Sequence, residues 1–546
     1  NTQVPKLIGS AARFALTGDP GDLAASTFFW DTVVQHHSFA TGGHGRDEYF
    51  GPPDTWGQRV DGRTAETCNV YNMLKLTRKL FAMRPDPHYA DFHERALFNH
   101  ILGSMDPADG RVTYMNPVGR GVMREYQDPF DSFTCCVGTG MESHALHGHG
   151  LFYEDGERLY VNLYTPATAD WADAGVRLAV ETDFPLGESA TLRLGLQAPR
   201  DFTLALRRPY WTGDGFAVRV NGRPVPLDDP SPAPWRQERG QYPVPADAGS
   251  SYVEVTRTWR HGDVVEVALP KSLRAEPTPD MPRRVALLWG PLVLAGDLGP
   301  ERRRWDWGER MEREETEPPV VPVLVAAERP IDEWLEPVGD RPGHFRTDGV
   351  GRVPDADGTS HDVELVPYYQ LHRRTYAAYW DTFTEEEWVA QKALYAEEAE
   401  RRRRLEAATI AYLEPGEAGF EREYGYRGAD DSQPYRIEGR PGRWAGSWFS
   451  YRVPVEPAHP MMLILTFHSD DRRYSPADFE IRVDGDLAAE HHLGRTDPPR
   501  FIHVRFPLPT AMVEGKDAVT LRFQAKPGSR VPVIFGVRLV RADRPE

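Results

Sequence analysis

The sequence predicts a multidomain α + β protein, with a helical layer first and β-sandwich domains after it. Three observations carry this. The chain has 546 residues, too many for a single hydrophobic core. The spacing of apolar residues changes near Arg158 from a helical period to strict alternation. A second block of alternation follows from about Tyr424, beyond a long charged helix.

Five helices are predicted at the start: Val4 to Thr17, Leu23 to Phe39, Thr67 to Met83, Tyr89 to Gly103 and Thr139 to Tyr153. Gly18 closes the first and Pro85 ends the third. Helices paired across loops suggest a toroid of helical hairpins, and five are too few to close one. From Arg158 to Tyr164 the chain alternates, as it does over Gly175 to Glu181, Ala190 to Gln197 and Phe202 to Arg207. Phe216 to Val220 runs into Asn221-Gly222, a hairpin signal, and Tyr252 to Trp259 and Asp263 to Leu269 continue the series. This spacing is that of a sandwich. One more β segment is expected over Arg284 to Ala295.

The stretch from Gly299 to Asp357 is rich in Pro, Arg and Glu and reads as linker or irregular cover. Thr384 then opens a long helix, to about residue 410, with Glu387 at the capping-box position. Its Arg401–Arg404 run follows Glu397, Glu398 and Glu400, the pattern of a solvated helix face. The last part, with Met462 to Phe467 alternating inside it, reads as a second, jelly-roll-like sandwich. The expected domain limits are 1–155, 156–298, 299–423 and 424–546.

The net charge of −18, with no basic stripe, argues against nucleic acid and anionic membrane surfaces as partners, because both require clustered Lys and Arg. A neutral ligand fits better, and an aromatic content of 11% suits stacking against sugar rings, although most aromatics serve a core. Arginine far outnumbers the seven lysines, which reflects genome composition. No apolar run is long enough to span a bilayer. The chain opens on Asn1 and shows no leader, so its compartment is not legible.

Cysteine usage is the most informative feature. Cys68, Cys135 and Cys136 are the three in the chain, and all fall in the helical region. An odd number with one adjacent pair is a poor disulfide framework. Buried small hydrophobes are the commonest fate of such residues. Metal-bound thiolates are the sharper reading. Glu66 and Cys68 lie two apart, about 200° around a helix, so they share no helical face. Placed in an extended lead-in, with Thr67 near the cap, both can turn toward one point. Glu66 with three cysteines then makes an S₃O set that zinc accepts tetrahedrally. Gly138 and Gly140 follow the cysteine pair and give the backbone latitude there. His36 and His37, or His144, His147 and His149, lack the matched carboxylates of a second metal site.

The runs Thr41-Gly42-Gly43-His44-Gly45-Arg46-Asp47-Glu48, Glu66-Thr67-Cys68 and Phe133-Thr134-Cys135-Cys136-Val137-Gly138-Thr139-Gly140-Met141-Glu142-Ser143-His144 together resemble the β-L-arabinofuranosidase group, glycoside hydrolase family 127 and its relative family 146. The resemblance extends through His93-Glu94-Arg95-Ala96-Leu97-Phe98-Asn99 and the opening Asn1-Thr2-Gln3-Val4-Pro5-Lys6. It is specific over residues 1–165 and architectural afterwards. It implies part of an (α/α)6 barrel, entered about halfway round as in an N-terminally truncated member. It further implies Zn²⁺ on Glu66, Cys68, Cys135 and Cys136, with Cys135 as nucleophile and Glu48 as acid/base. Glu94, Tyr114, Glu142 and His144 match positions that hydrogen-bond the sugar. Asp47 is the alternative acid; Glu48 is preferred because it matches the family position. Partial burial near Tyr49, Phe50 and Trp56 would help to keep the Glu48 carboxyl protonated.

The expected function is thus a retaining, exo-acting glycosidase on arabinofuranosyl or similar units of plant-type glycans. Two other classes compete. A carbohydrate-binding remnant leaves the thiols without a role. A polysaccharide lyase or unsaturated-uronyl hydrolase on an (α/α) toroid needs a Tyr/His base and a clamp on a uronate, not three thiolates.

Overall fold

The computed structural model describes residues 2–127, 132, 134–227, 250–302, 320–353, 360–437, 440–469, 477–494 and 500–542. They fall into two compact units, Asn1–Val389 and Ala390–Glu546. Phe133 of the cysteine motif and Asp357 at the end of the expected linker lie outside the described residues.

Four of the five early helices stand close to where periodicity places them. Helix α1 (Gln3–Thr17) and helix α2 (Pro20–His36) are joined by a short turn in which Asp19 caps α2 by accepting from the Gly21 amide at 3.0 Å. Helix α3 (Thr67–Met83) keeps the expected limits and is buried on nearly every side, from Val70 and Met73 to Leu80 and Phe81. Trp30 of α2 hydrogen-bonds to Thr77 of α3 at 2.7 Å inside this core. Helix α4 (Pro87–Ala96) runs on into a π-helical turn, Leu97–Ile101.

The fifth helix departs from expectation. Helix α5 spans Cys135–Ala145, so it starts at the cysteine pair and not at Thr139. Gly138 and Gly140 mask its first turn as a sequence signal, because glycine is a poor helix former. Gly140 has a packing reason: a Cβ there would lie 2.7 Å from the Val112 side chain. The expected C-terminal part of this helix is instead a strand, Phe152–Glu154, paired with Arg158–Val161.

Helix α4 is buried although it carries Asp91, Glu94 and Arg95. Its charges are matched by residues of the β layers that follow it in the chain. Arg207, itself fully buried, donates to Asp91 at 2.7 Å and to Glu94, while Trp211 donates to the second Glu94 oxygen at 2.7 Å. Arg95 grips Glu276 through both of its terminal nitrogens, at 2.7 and 2.8 Å. Glu94→Ala is expected to cost about 3 kcal/mol of stability, because it leaves part of a buried guanidinium and an indole N–H without their acceptor. Denaturant unfolding of the two proteins measures this.

The sandwich itself has a four-stranded sheet (Ser251–Trp259, Arg200–Arg208, Arg158–Val161, Phe152–Glu154) and a six-stranded one from Ala167–Trp171 to Arg223–Pro224. Alternating residues such as Leu192, Leu194, Val265 and Val267 face a core shared with the helices. Asn221 and Gly222, with φ of 50° and 75°, form the hairpin turn that their pairing predicts.

The next layer is more regular than its composition suggests. The run expected as one β segment is a hairpin, Arg284–Trp289 with Leu292–Asp297, turned at Gly290-Pro291. The stretch read as linker supplies Leu335–Pro337 and Phe345–Thr347 to the same nine-stranded sheet. That sheet also takes in Glu364–Pro367, Tyr376–Ala377 and, from the helical region, Arg120–Val122.

The long helix, Glu385–Ala408, begins with the expected capping box: the Thr384 amide donates to Glu387 at 2.8 Å, and the Glu387 amide donates to the Thr384 hydroxyl at 3.1 Å. Glu400 pairs with Arg403 and Arg404 on its exposed surface. The second unit is a sandwich of a six-stranded and a five-stranded sheet. Its first strand, Thr409–Leu413, pairs with the last, Val531–Arg541, around a core that includes Phe449, Phe467, Phe479 and Phe523.

Candidate metal centre

Two segments far apart in sequence meet at the cluster. Glu66 occupies the N-cap position of α3 with an extended backbone, φ −63° and ψ 132°, and Cys68 is in the first turn. The extended lead-in lets side chains two apart face one point. From the other side, α5 delivers Cys135 and Cys136 from its first turn. The four ligand atoms all lie within 4.8 Å of one another. Among the described residues this is the group of metal-ligating side chains that converges.

The spacings fit a tetrahedral ion. Zinc–sulfur bonds of about 2.3 Å require sulfurs about 3.8 Å apart at the tetrahedral angle. Here Cys135 and Cys136 Sγ are 4.0 Å apart, Cys136 and Cys68 Sγ 3.3 Å, and Glu66 Oε1 lies 3.9 and 3.8 Å from the Cys135 and Cys136 sulfurs. The main influences on the three thiols are burial, one another and, for Cys68, the Thr139 hydroxyl; Glu66 adds a smaller one. Burial pushes the Cys135 thiol up to about 11, and its hydrogen bond to Cys68 pushes Cys136 far above its ordinary value. Cys68, which accepts from Cys136, is held below its own. Four acids that converge in this way cannot all ionise unless a cation joins them, so the donor set suits a divalent metal.

The three cysteines are not equivalent. Cys68 and Cys136 are buried, and Cys135 is exposed. Cys68 also has a hydroxyl partner, Thr139 Oγ1 at 3.1 Å. Sequence reading missed Thr139 in this role. It sits one helical turn after Cys135, so the signal becomes legible once α5 is known to begin there.

Glu48 reaches the site on a tight hairpin. Arg46 and Tyr49 exchange backbone hydrogen bonds of 2.9 and 3.0 Å across the two residues between them. Asp47 and Glu48 therefore sit at φ 50° and 68°, in the left-handed region that non-glycine residues seldom occupy. Ion pairs from Arg63 to Asp47 and from Arg46 to Asp61 brace the turn. The Tyr114 hydroxyl donates to Glu48 Oε1. Burial and the nearby acids Glu48, Glu66 and Cys135 raise the Tyr114 phenol well above its usual range, so it stays a donor.

The remaining sequence candidates lie elsewhere or on the periphery. Glu94, expected to hydrogen-bond a sugar, has both oxygens engaged by Arg207 and Trp211. Glu142 is exposed on α5, two turns beyond Cys135 on the same face. His144 lies roughly opposite Cys135 around that helix, with Nδ1 at 3.1 Å from His147 Nε2 and its pKa lowered by burial to about 4.

Fold and cluster together define a multidomain α + β protein built around a sulfur-rich, metal-competent site. Residues 1–149 match the family model of the beta-L-arabinofuranosidase GH127 catalytic domain, and residues 158–271 match that of the GH127 middle domain. Over these two segments the chain is similar to the GH127 β-L-arabinofuranosidases. Residues 274–382 match a domain of unknown function, and residues 404–540 a further family of unknown function (DUF6805). The non-reducing end β-L-arabinofuranosidase of Bifidobacterium longum subsp. longum is 24% identical over 229 residues, covering 38% of this chain and 34% of that protein. A solved GH127 β-arabinofuranosidase superposes with a TM-score of 0.51 at 22% identity, covering 69% of this chain and 59% of its own. A second solved glycoside hydrolase gives 0.51 at 19%, over 69% and 65%. At these identities the structural likeness concerns the fold. The chain spans about a third of the curated relative's length and about three-fifths of the solved chains.

Proposed function

We propose that the protein is a retaining glycoside hydrolase that releases terminal arabinofuranosyl or similar units from plant-type glycans. The helical layer would then be part of an (α/α)6 barrel. The observation that carries the reading is the cluster itself: four convergent acids, one exposed thiol among them, and a carboxylate brought alongside through Tyr114. Zinc held by Glu66, Cys68, Cys135 and Cys136 would supply the positive charge that keeps the thiols deprotonated at neutral pH.

Cys135 is the nucleophile, because its sulfur is the one that a sugar can reach. Its Sγ bonds to the anomeric carbon as the glycosidic C–O bond breaks, and Glu48 gives its proton to the departing oxygen. In the second half, Glu48 takes a proton from water as that water attacks the same carbon and displaces the Cys135 sulfur. Two inversions give net retention. Tyr114 holds the Glu48 oxygen that it hydrogen-bonds, leaving the other for proton transfer. Glu142, on the Cys135 face of α5, would meet a sugar hydroxyl.

Metal analysis of the purified chain tests the centre. About one zinc per chain is expected, with content falling in Glu66→Gln, Cys68→Ser and Cys136→Ser. A folded wild type without zinc, in which all three thiols titrate freely, would sink the catalytic reading and favour a glycan-binding role.

A further inference from the structure

Both arms of the cluster are tied to one stretch of the nine-stranded layer, residues 368–376. It lies within the segment that matches a domain of unknown function.

The first arm supports Glu66 and Tyr114. Arg124 is fully buried, donates to the carbonyl oxygens of Tyr368 at 2.9 Å and of Leu371, and donates through Nε to Asn116 Oδ1 at 2.6 Å. Its guanidinium lies 4.3 Å from the Tyr368 ring and 5.0 Å from that of Tyr376. The Tyr368 hydroxyl reaches the backbone oxygens of Asn116 and Pro117 at 2.9 and 2.8 Å, and the Tyr376 hydroxyl reaches Pro117 at 2.7 Å. Asn116 and Pro117 are thus held from one side. On the other, the Asn116 amide donates to Ala65 at 2.9 Å, Met115 bridges to Glu66, and the Thr67 amide donates to Tyr114 at 3.0 Å.

The second arm supports Cys135. The Tyr126 hydroxyl and His372 Nδ1 are 2.7 Å apart, and Arg373 lies 4.1 Å from the Tyr126 ring while pairing with Asp106 at 3.0 Å. The next residue, Gln127, accepts from Thr134 at 2.8 Å. Thr134 is the N-cap residue of α5, immediately before Cys135.

We propose that residues 368–376 are the positioning element of the metal centre, fixing the Glu66 and Cys135 ends at the separation an ion needs. This rests on the reading of the cluster as a metal site. Four acids repel one another, so ligand spacing must be imposed from outside, and groups behind metal ligands commonly alter affinity about 10–100-fold.

The test uses the full chain with Tyr368→Phe, Tyr126→Phe and a control, Tyr164→Phe. Tyr164 is also buried, and its hydroxyl donates to the Arg207 carbonyl at 2.6 Å within the sandwich. Zinc Kd by chelator competition, alkylation of each cysteine by iodoacetamide in the metal-free chain, and Tm are recorded for each. Tyr368→Phe and Tyr126→Phe are expected to weaken zinc about 10–100-fold and to raise Cys68 modification relative to Cys135, whereas Tyr164→Phe lowers Tm and changes neither. Equal zinc shifts in all three variants, or none in the first two, overturn the proposal. Should wild type bind no zinc, the metal reading fails and the alkylation ratio decides. A ratio altered by Tyr368→Phe and Tyr126→Phe but not by the control upholds positioning, and an unaltered one overturns it. If Tyr368→Phe does not fold, Tyr126→Phe carries the same comparison.

Discussion

Cys135→Ser is expected to lower kcat/KM on an arabinofuranoside by at least ~10³-fold while the chain keeps its fold. The argument is one of access and chemistry together. Cys135 is exposed where Cys68 and Cys136 are buried. A serine hydroxyl at that position ionises far less readily than a thiol and is a poorer leaving group in the second step. Comparison with Cys136→Ser separates the roles. Cys136 is fully buried and hydrogen-bonded to Cys68 at 3.3 Å, so its replacement should act through metal loss and stability. If Cys135→Ser retained full turnover with zinc bound, the nucleophile assignment would be wrong.

Glu48→Gln is expected to reduce kcat about 10²–10⁴-fold on substrates with a sugar or alkyl leaving group. The loss should shrink on aryl glycosides whose leaving group departs without a proton. That dependence distinguishes an acid/base from a residue that only binds, which would weaken both substrates alike. Glutamine preserves the side-chain length and can still accept from Tyr114, so the hairpin is retained. Steady-state kinetics on the two substrate types measure the difference. An equal loss on both would move the acid role elsewhere, with Asp47 the next candidate, although its carboxylate is already paired with Arg63.

Much of this site is legible in the sequence because its signals are scarce or local. Three cysteines in a long chain, one of them two residues after a glutamate at a helix start, leave few arrangements open, and α3 begins where Thr67 predicts. What escapes the sequence is long-range. Glu94 looks free to bind a ligand because its partner, Arg207, lies 113 residues away on a strand. The Gly290-Pro291 turn is hidden inside a continuous apolar run. The strands at Leu335–Pro337 and Phe345–Thr347 are too short, and too rich in charge and proline around them, to show a period. The support from residues 368–376 joins positions about 250 apart, which no local pattern can reveal.

The hairpin at Asp47 and Glu48 has a consequence for how this protein can change over time. Left-handed backbone costs a side-chain-bearing residue about 1 kcal/mol relative to glycine. Selection for stability alone would therefore favour glycine at position 48, and selection for chemistry would oppose it. The most accessible stabilising change in this loop is also one that would silence the proposed enzyme, so copies released from the need to cut sugar should drift toward glycine there first.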